Sequence, residues 1–122
     1  MAGLSITTSQ SALDYLFPTS ANGTYIGYSV NGTSEFASLA RTAIGAAGWS
    51  AATSADPSVK GNSAILTSAA ASGAGTISHT ATFSASTAGT QMTDWQAVGT
   101  SKTLATGDQV TFAAGALTVT LT

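Results

Sequence analysis

Two period-two alternations in the second half of the chain limit what it can fold into. Ile77, His79, Ala81 and Phe83 alternate with Ser78, Thr80, Thr82 and Ser84. At the far end Leu117, Val119 and Leu121 alternate with Thr118, Thr120 and Thr122. Successive side chains of a strand point to opposite faces, so each run has one apolar and one hydroxyl face, the pattern of a half-buried strand. Trp95, Val110 and Phe112 lie between the two runs, and residues 75–122 are read as the core sheet on which the rest is laid.

Upstream, the spacing predicts one short helix over 9–17. Ser9 or Ser11 supplies the cap, because a side-chain oxygen accepts an orphan backbone N–H. Ala12, Leu13, Leu16 and Phe17 follow on one face, and Pro18 ends the helix. Residues 1–8, with Leu4 and Ile6, read as a docking arm. Thr24 to Val30 reads as a strand with Ile26 inward, bracketed by Asn22-Gly23 and Asn31-Gly32, the strongest short hairpin signal. Both pairs also begin Asn-Gly-Thr sequons, and their reading here is as turns. Further strands are expected over 38–44, near 49–53 and over 62–68, where Ile65 is placed inward. A loop is expected over 55–62, around Asp56-Pro57.

The expectation is therefore a single all-β domain over 1–122, a jelly-roll-like β-sandwich of about seven to nine short strands with one N-terminal helix. Its expected core is Leu13, Leu16, Phe17, Ile26, Ile65, Ile77, Phe83, Trp95, Val110, Phe112, Leu117, Val119 and Leu121. Leu4, Ile6, Tyr25 and Trp49 are expected to meet partners.

Composition narrows the function. Only 7% of the residues are charged, against about 25% in ordinary soluble domains. Ala, Ser, Thr and Gly fill the difference, which suits a surface packed against partners. The three basic residues, Arg41, Lys60 and Lys102, are scattered, so no stripe can neutralise nucleic-acid phosphates. There is no cysteine. The run MAGLSITTSQ has neither a basic segment nor a long apolar one and is not read as a signal peptide. No apolar run is long enough for a membrane helix.

Chemistry is sparse. The one histidine, His79, sits in an apolar strand face with no orienting carboxylate in view, and is read as a core or interface residue. Asp14, Glu35, Asp56, Asp94 and Asp108 are dispersed, which gives no positive support for an acid pair, though spacing leaves one open, and supplies no calcium loop or zinc set. No enzyme activity, cofactor or metal is expected.

The C-terminal phrase is more specific. Ser78-His79, Phe83-Ser84-Ala85, Gly89-Thr90, Trp95-Gln96-Ala97, Ser101-Lys102-Thr103, Gly107-Asp108 and residues 115–121 (GALTVTL) follow in order. So arranged, the chain resembles a family of small tailed-bacteriophage virion proteins labelled tail fibre, head fibre or capsid decoration proteins. Leu39-Ala40-Arg41 and Asn62-Ser63-Ala64 match two upstream strands of that family, and the helix over 12–17 falls where its members carry one. Ser84 replaces the family's acidic residue, and the segment 28–38 is shorter. The resemblance implies a virion β-sandwich protein, assembled in the bacterial host cytoplasm. The first expectation is a capsid decoration or cement protein, homo-oligomeric and bound to the major capsid protein. The alternative is a tail-fibre or tail-tip module that contacts other tail proteins or a host-surface glycan, with Tyr25, Trp49 or Trp95 as the aromatic contact.

Overall fold

The computed structural model describes residues 5–17, 24–45, 48–55 and 57–121, and of Leu121 the backbone alone. Helix α1 (Ile6–Leu16) is followed by β1 (Tyr25–Ser29), β2 (Thr42–Ala43), β3 (Ser58–Gly61), β4 (Leu66–Thr67), β5 (Gly75–Phe83), β6 (Gln96–Leu104), β7 (Thr111–Phe112) and β8 (Thr118–Leu121). Eight strands and one short N-terminal helix are consistent with the expected all-β sandwich class. Leu4, Pro18, the Asn22-Gly23 pair and Asp56 lie outside the described residues.

By their contacts the residues form two compact units. One draws on Met1–Asn22, Ile44–Leu66 and Phe112–Thr122, the other on Gly23–Ala43 and Thr67–Thr111.

In the first unit, α1 starts earlier than its sequence suggests. Ser5, not Ser9 or Ser11, is the cap: extended at ψ 156°, it accepts the Thr8 N–H on its side chain at 3.2 Å. Ser9 is then inside the helix and buried with Leu13, and Phe17 closes the end by donating its N–H to the Leu13 carbonyl at 2.8 Å. Leu16 corrects the expected core, since it is 48% exposed. The helical arc through Ser9, Leu13 and Phe17 leaves it on the flank. The helix packs on β3, which pairs antiparallel with β8, Ser58 opposite Leu121 and Gly61 opposite Thr118. The strand expected near 49–53 is present as a bridge from Trp49 to Asn62 with bonds from Ser50 N to Gly61 O and Thr53 N to Val59 O. Asn62, buried, ties this unit's ends: its amide donates to the Ala64 and Ala113 carbonyls and its oxygen accepts the Leu117 N–H.

The second unit holds a four-stranded antiparallel sheet in the order β2-β1-β5-β6. Tyr25 stands opposite Phe83 and Ser29 opposite His79. Ile77, Ala81 and Phe83 are buried as the alternation requires, and Thr82 on the other face is buried too, its N–H and hydroxyl both donating to Thr93 Oγ1. Between β5 and β6 the register slips. Two steps along β5, Ile77 to His79, match five along β6, Lys102 to Ala97, so β6 carries three extra residues opposite Ser78.

Residues 75–122 are thus not one sheet. β5 and β6 belong to the four-stranded sheet, β7 pairs with β4, and the final comb, β8, pairs with β3. Period two identifies strands but not their neighbours. The expected strand over 38–44 is only β2, two residues long. After Asn31-Gly32 the chain makes a turn rather than a tight hairpin. Asn31 Oδ1 accepts the Thr33 and Ser34 N–H groups, and Phe36 N returns to Tyr28 O at 2.7 Å.

Candidate functional site

A concave polar surface built from several segments of a single unit surrounds Arg41. Arg41 immediately precedes β2, and its guanidinium lies 3.8 Å above the centre of the Phe83 ring. Its Nε and Nη2 donate to the two oxygens of Glu35 at 2.8 and 2.9 Å, a bidentate fork. Nη1 donates to the carbonyls of Ala85 and Ala88 at 2.8 and 2.7 Å. Four bonds from one planar group tie the 31–36 turn to the loop after β5, a geometry that lysine cannot supply.

Phe83 is the floor of this arrangement. A Cβ on Gly27 would meet its ring at 3.2 Å, so the absence of a side chain there lets the ring lie against β1. Trp95 meets the same ring edge to face, 5.6 Å between centroids at 89°. Trp95 is half-buried rather than the buried core residue expected, because it borders a hollow of about 330 Å³. Thr33, Ser34, Glu35, Arg41, Gln91 and Trp95 line that hollow. On its other side the Arg41–Glu35 pair borders a second hollow of about 420 Å³, with Phe36, Leu39 and Ser86.

The loop over 84–90 is held tightly. Ser84 N donates to Thr90 O at 2.9 Å, and Thr90 N returns to Ser84 Oγ at 2.8 Å. Inside it Ala88 has φ 52°, a left-handed conformation that a residue with a Cβ rarely adopts. The bond from Arg41 to its carbonyl helps hold it there.

A second ion pair lies in the other unit. Lys60, fully buried, donates from Nζ to Asp14 Oδ1 at 2.8 Å and to the Phe17 carbonyl. It therefore closes the C-terminal end of α1 with a cation, where the helix dipole favours one. Hydrogen bonding from Lys60, helped by the Ala52 N–H, holds the Asp14 carboxyl below its usual range. Sequence reasoning missed both pairs. Asp14 and Lys60 lie 46 residues apart and nothing local marks Lys60 as a buried cation, while Glu35 and Arg41, six residues apart, are brought together by the 31–36 turn rather than by a regular spacing.

The other expected residues fall as follows. Leu13, Phe17, Ile26, Ile77, Phe83, Val110, Phe112, Leu117 and Val119 are buried. Ile65 is 65% exposed and Leu66 takes the buried place, a correction to the expected core. Trp49, expected to meet a partner, is 1% exposed and packs edge to face on Phe17 at 5.4 Å, which removes it as a contact. Ile6 is exposed and Tyr25 half-buried on β1. His79 Nδ1 bonds the neighbouring Ser78 Oγ at 2.7 Å, and its ring lies over Gly32. Among the described residues no three His, Asp or Glu side chains gather as a metal site. Asp108 accepts the Ala105 N–H at 2.9 Å and shapes a turn. Around Arg41 the geometry offers shaped, hydrogen-bonding surface.

Residues 7–120 match the family model described as Podophage GP4 fiber I protein gp80. No curated protein matches the chain.

Proposed function

Because the chain belongs to this podophage fibre family, a family of phage structural proteins, we propose that it works as a fibre-type attachment module of the tailed-phage virion. The family match over nearly the whole chain carries the reading. The role is mechanical: to hold a position on the particle and present surface, with no reaction to catalyse. Its partners are neighbouring tail proteins and copies of itself.

The outer side of α1 is the surface that fits attachment. Tyr15 on the side away from Leu13 and Phe17 and Leu16 on the adjoining flank are exposed there, and Ile6 is exposed at the first turn. Large apolar side chains on a surface mark contact with other proteins more often than chance placement does when they share one element.

Low charge favours a second reading, a cement protein spread over the capsid and bound to the major capsid protein, where a surface of hydroxyls and methyls stays covered. Such a protein stabilises the shell by binding only its assembled form. Imaging virions that carry a tagged copy of this chain separates the two. Tag density at a few symmetric positions on the tail or neck is the expected result. Density over every capsomer overturns the fibre reading in favour of cement. Tyr15→Asp with Leu16→Asp is expected to leave the chain folded and strip it from the particle.

A further inference from the structure

We propose that the 330 Å³ hollow beside Trp95 binds a neutral pyranose unit of a glycan. The inference goes beyond attachment to the virion and rests on one unit's geometry, not on where copies of the chain sit.

Size comes first. The hollow is at the small end of the range of about 300–1,000 Å³ that small-molecule sites occupy, which suits one sugar ring of a longer chain. Its charge is already settled internally. A guanidinium has five N–H donors, and Arg41 uses four of them, two on Glu35 and one each on the Ala85 and Ala88 carbonyls. An anionic ligand would have to break the clamp that shapes the site, whereas hydroxyl groups need not.

What remains for a ligand is a set of hydrogen-bonding groups next to a flat apolar wall. Each Glu35 oxygen accepts one bond from Arg41 and keeps a further lone-pair direction, with the side chain one-third exposed. The fork holds those oxygens in a fixed plane, as adjacent ring hydroxyls require. The Thr33 and Ser34 side chains add hydroxyls, and the Gln91 amide is steadied by donating to Thr93 O at 2.9 Å. Trp95 supplies the apolar wall for the C–H face of the ring, propped edge to face against Phe83.

The surface is also made in advance. Ala88 at φ 52° and Gly89 at φ 69° sit in the loop that Ser84, Thr90 and Arg41 tie down. Strained backbone held by surrounding bonds clusters at ligand clamps, where rigidity lowers the ordering cost of binding.

The two tryptophans allow a direct test on the full chain. Labelled with 5-fluorotryptophan, the chain gives one fluorine resonance for Trp95 and one for Trp49, which is buried in the other unit and serves as the internal control. The probes are methyl glycosides of glucose, galactose, mannose, rhamnose and N-acetylglucosamine, with methyl glucuronide and inorganic phosphate as charged comparators. At least one neutral glycoside is expected to move the Trp95 resonance saturably and leave Trp49 in place. By ligand-observed NMR, Trp95→Ala weakens that binding about tenfold or more. Gln91→Ala and Trp95→Phe, which leave the clamp intact, weaken it by smaller factors. The proposal is overturned if no neutral glycoside moves Trp95 up to its solubility limit. It is equally overturned if the charged comparators move Trp95 as strongly, or if Gln91→Ala and both Trp95 variants bind unchanged. Because the readout uses the isolated chain, its failure is distinct from any failure of the fibre reading, which tag imaging decides.

Discussion

Among the described residues each compact unit shows one ion pair, and the two pairs are opposite in kind. In the first unit the cation is deep: Lys60 is 0% exposed, while Asp14 is 42% exposed at the rim. In the second the pair lies at the surface, Arg41 at 11% and Glu35 at 33%, with the guanidinium spread on an aromatic ring. A flexible ammonium reaching inward secures a helix end. A planar fork lying outward fixes the shape of a surface. The difference assigns stability to the first unit and presentation to the second.

The tryptophans break or sharpen that contrast most strongly. Trp49→Ala is expected to cost about 3–5 kcal/mol, because a fully buried ring is lost. Trp95→Ala, half-buried, should cost about 1–2 kcal/mol. Equal losses in chemical denaturation would erase the contrast.

Alkali comes next. Burial pushes the Tyr28 hydroxyl up to about 12, although its bond to Thr42 pulls the other way. The folded value lies above the unfolded one of 10.0. Its contribution is therefore complete below pH 10 and is lost as pH rises toward 12, about 2–3 kcal/mol in all. Amide exchange in β1, β2 and β5 should accelerate in that window, and Tyr28→Phe should remove the effect.

Acid acts on the first unit instead, and less strongly. The Asp14 carboxyl is lowered when folded, so its contribution is present above its unfolded value of 3.8 and lost as pH falls through the folded one. Asp14→Ala removes it at every pH and leaves Lys60 buried without its anion. Since water reaches the Asp14 rim, about 2 kcal/mol is expected, less than for a fully buried pair. Lys60→Met leaves Asp14 its bond from the Ala52 N–H and removes the donor to the Phe17 carbonyl, and should cost about 1 kcal/mol, less than Asp14→Ala because no charge is left buried. If the two substitutions cost the same, the depth argument is wrong.

Gly27→Ala probes the floor of the hollow. Its Cβ would press at 3.2 Å on a Phe83 ring held by Arg41 above and Trp95 at its edge. A loss of about 1–2 kcal/mol is expected, with a shifted Trp95 emission. No shift would mean that the ring gives way freely.

The parts of the fold legible in sequence are those with a local period. β1 and β5 stand where alternation puts them, because the face that a strand buries is written in its own residues. Partners are not. Nothing in residues 117–121 says that the comb pairs with 58–61 rather than with the strand before it. Ile65 and Leu66 show the limit sharply. Both are apolar, a one-residue shift exchanges them, and the structure buries Leu66. The tryptophans exchanged roles for a related reason. Trp95, placed in the core for its position between the two alternating runs, borders a hollow, while Trp49 found Phe17 from a distant segment. The hollow itself was illegible, since Glu35, Arg41, Phe83 and Trp95 meet only once β1, β2 and β5 are paired.

The slip in β6 has a consequence for life in crowds. β6 is the outer strand of its sheet, and with Lys102 as its one charge it lacks the lysines and prolines that commonly keep such strands from zipping onto a neighbour. The three surplus residues opposite Ser78 interrupt the row of backbone donors and acceptors, leaving two short runs where one long one would recruit another chain. Irregular geometry thus does the work of charge against edge-to-edge growth in a nearly uncharged protein.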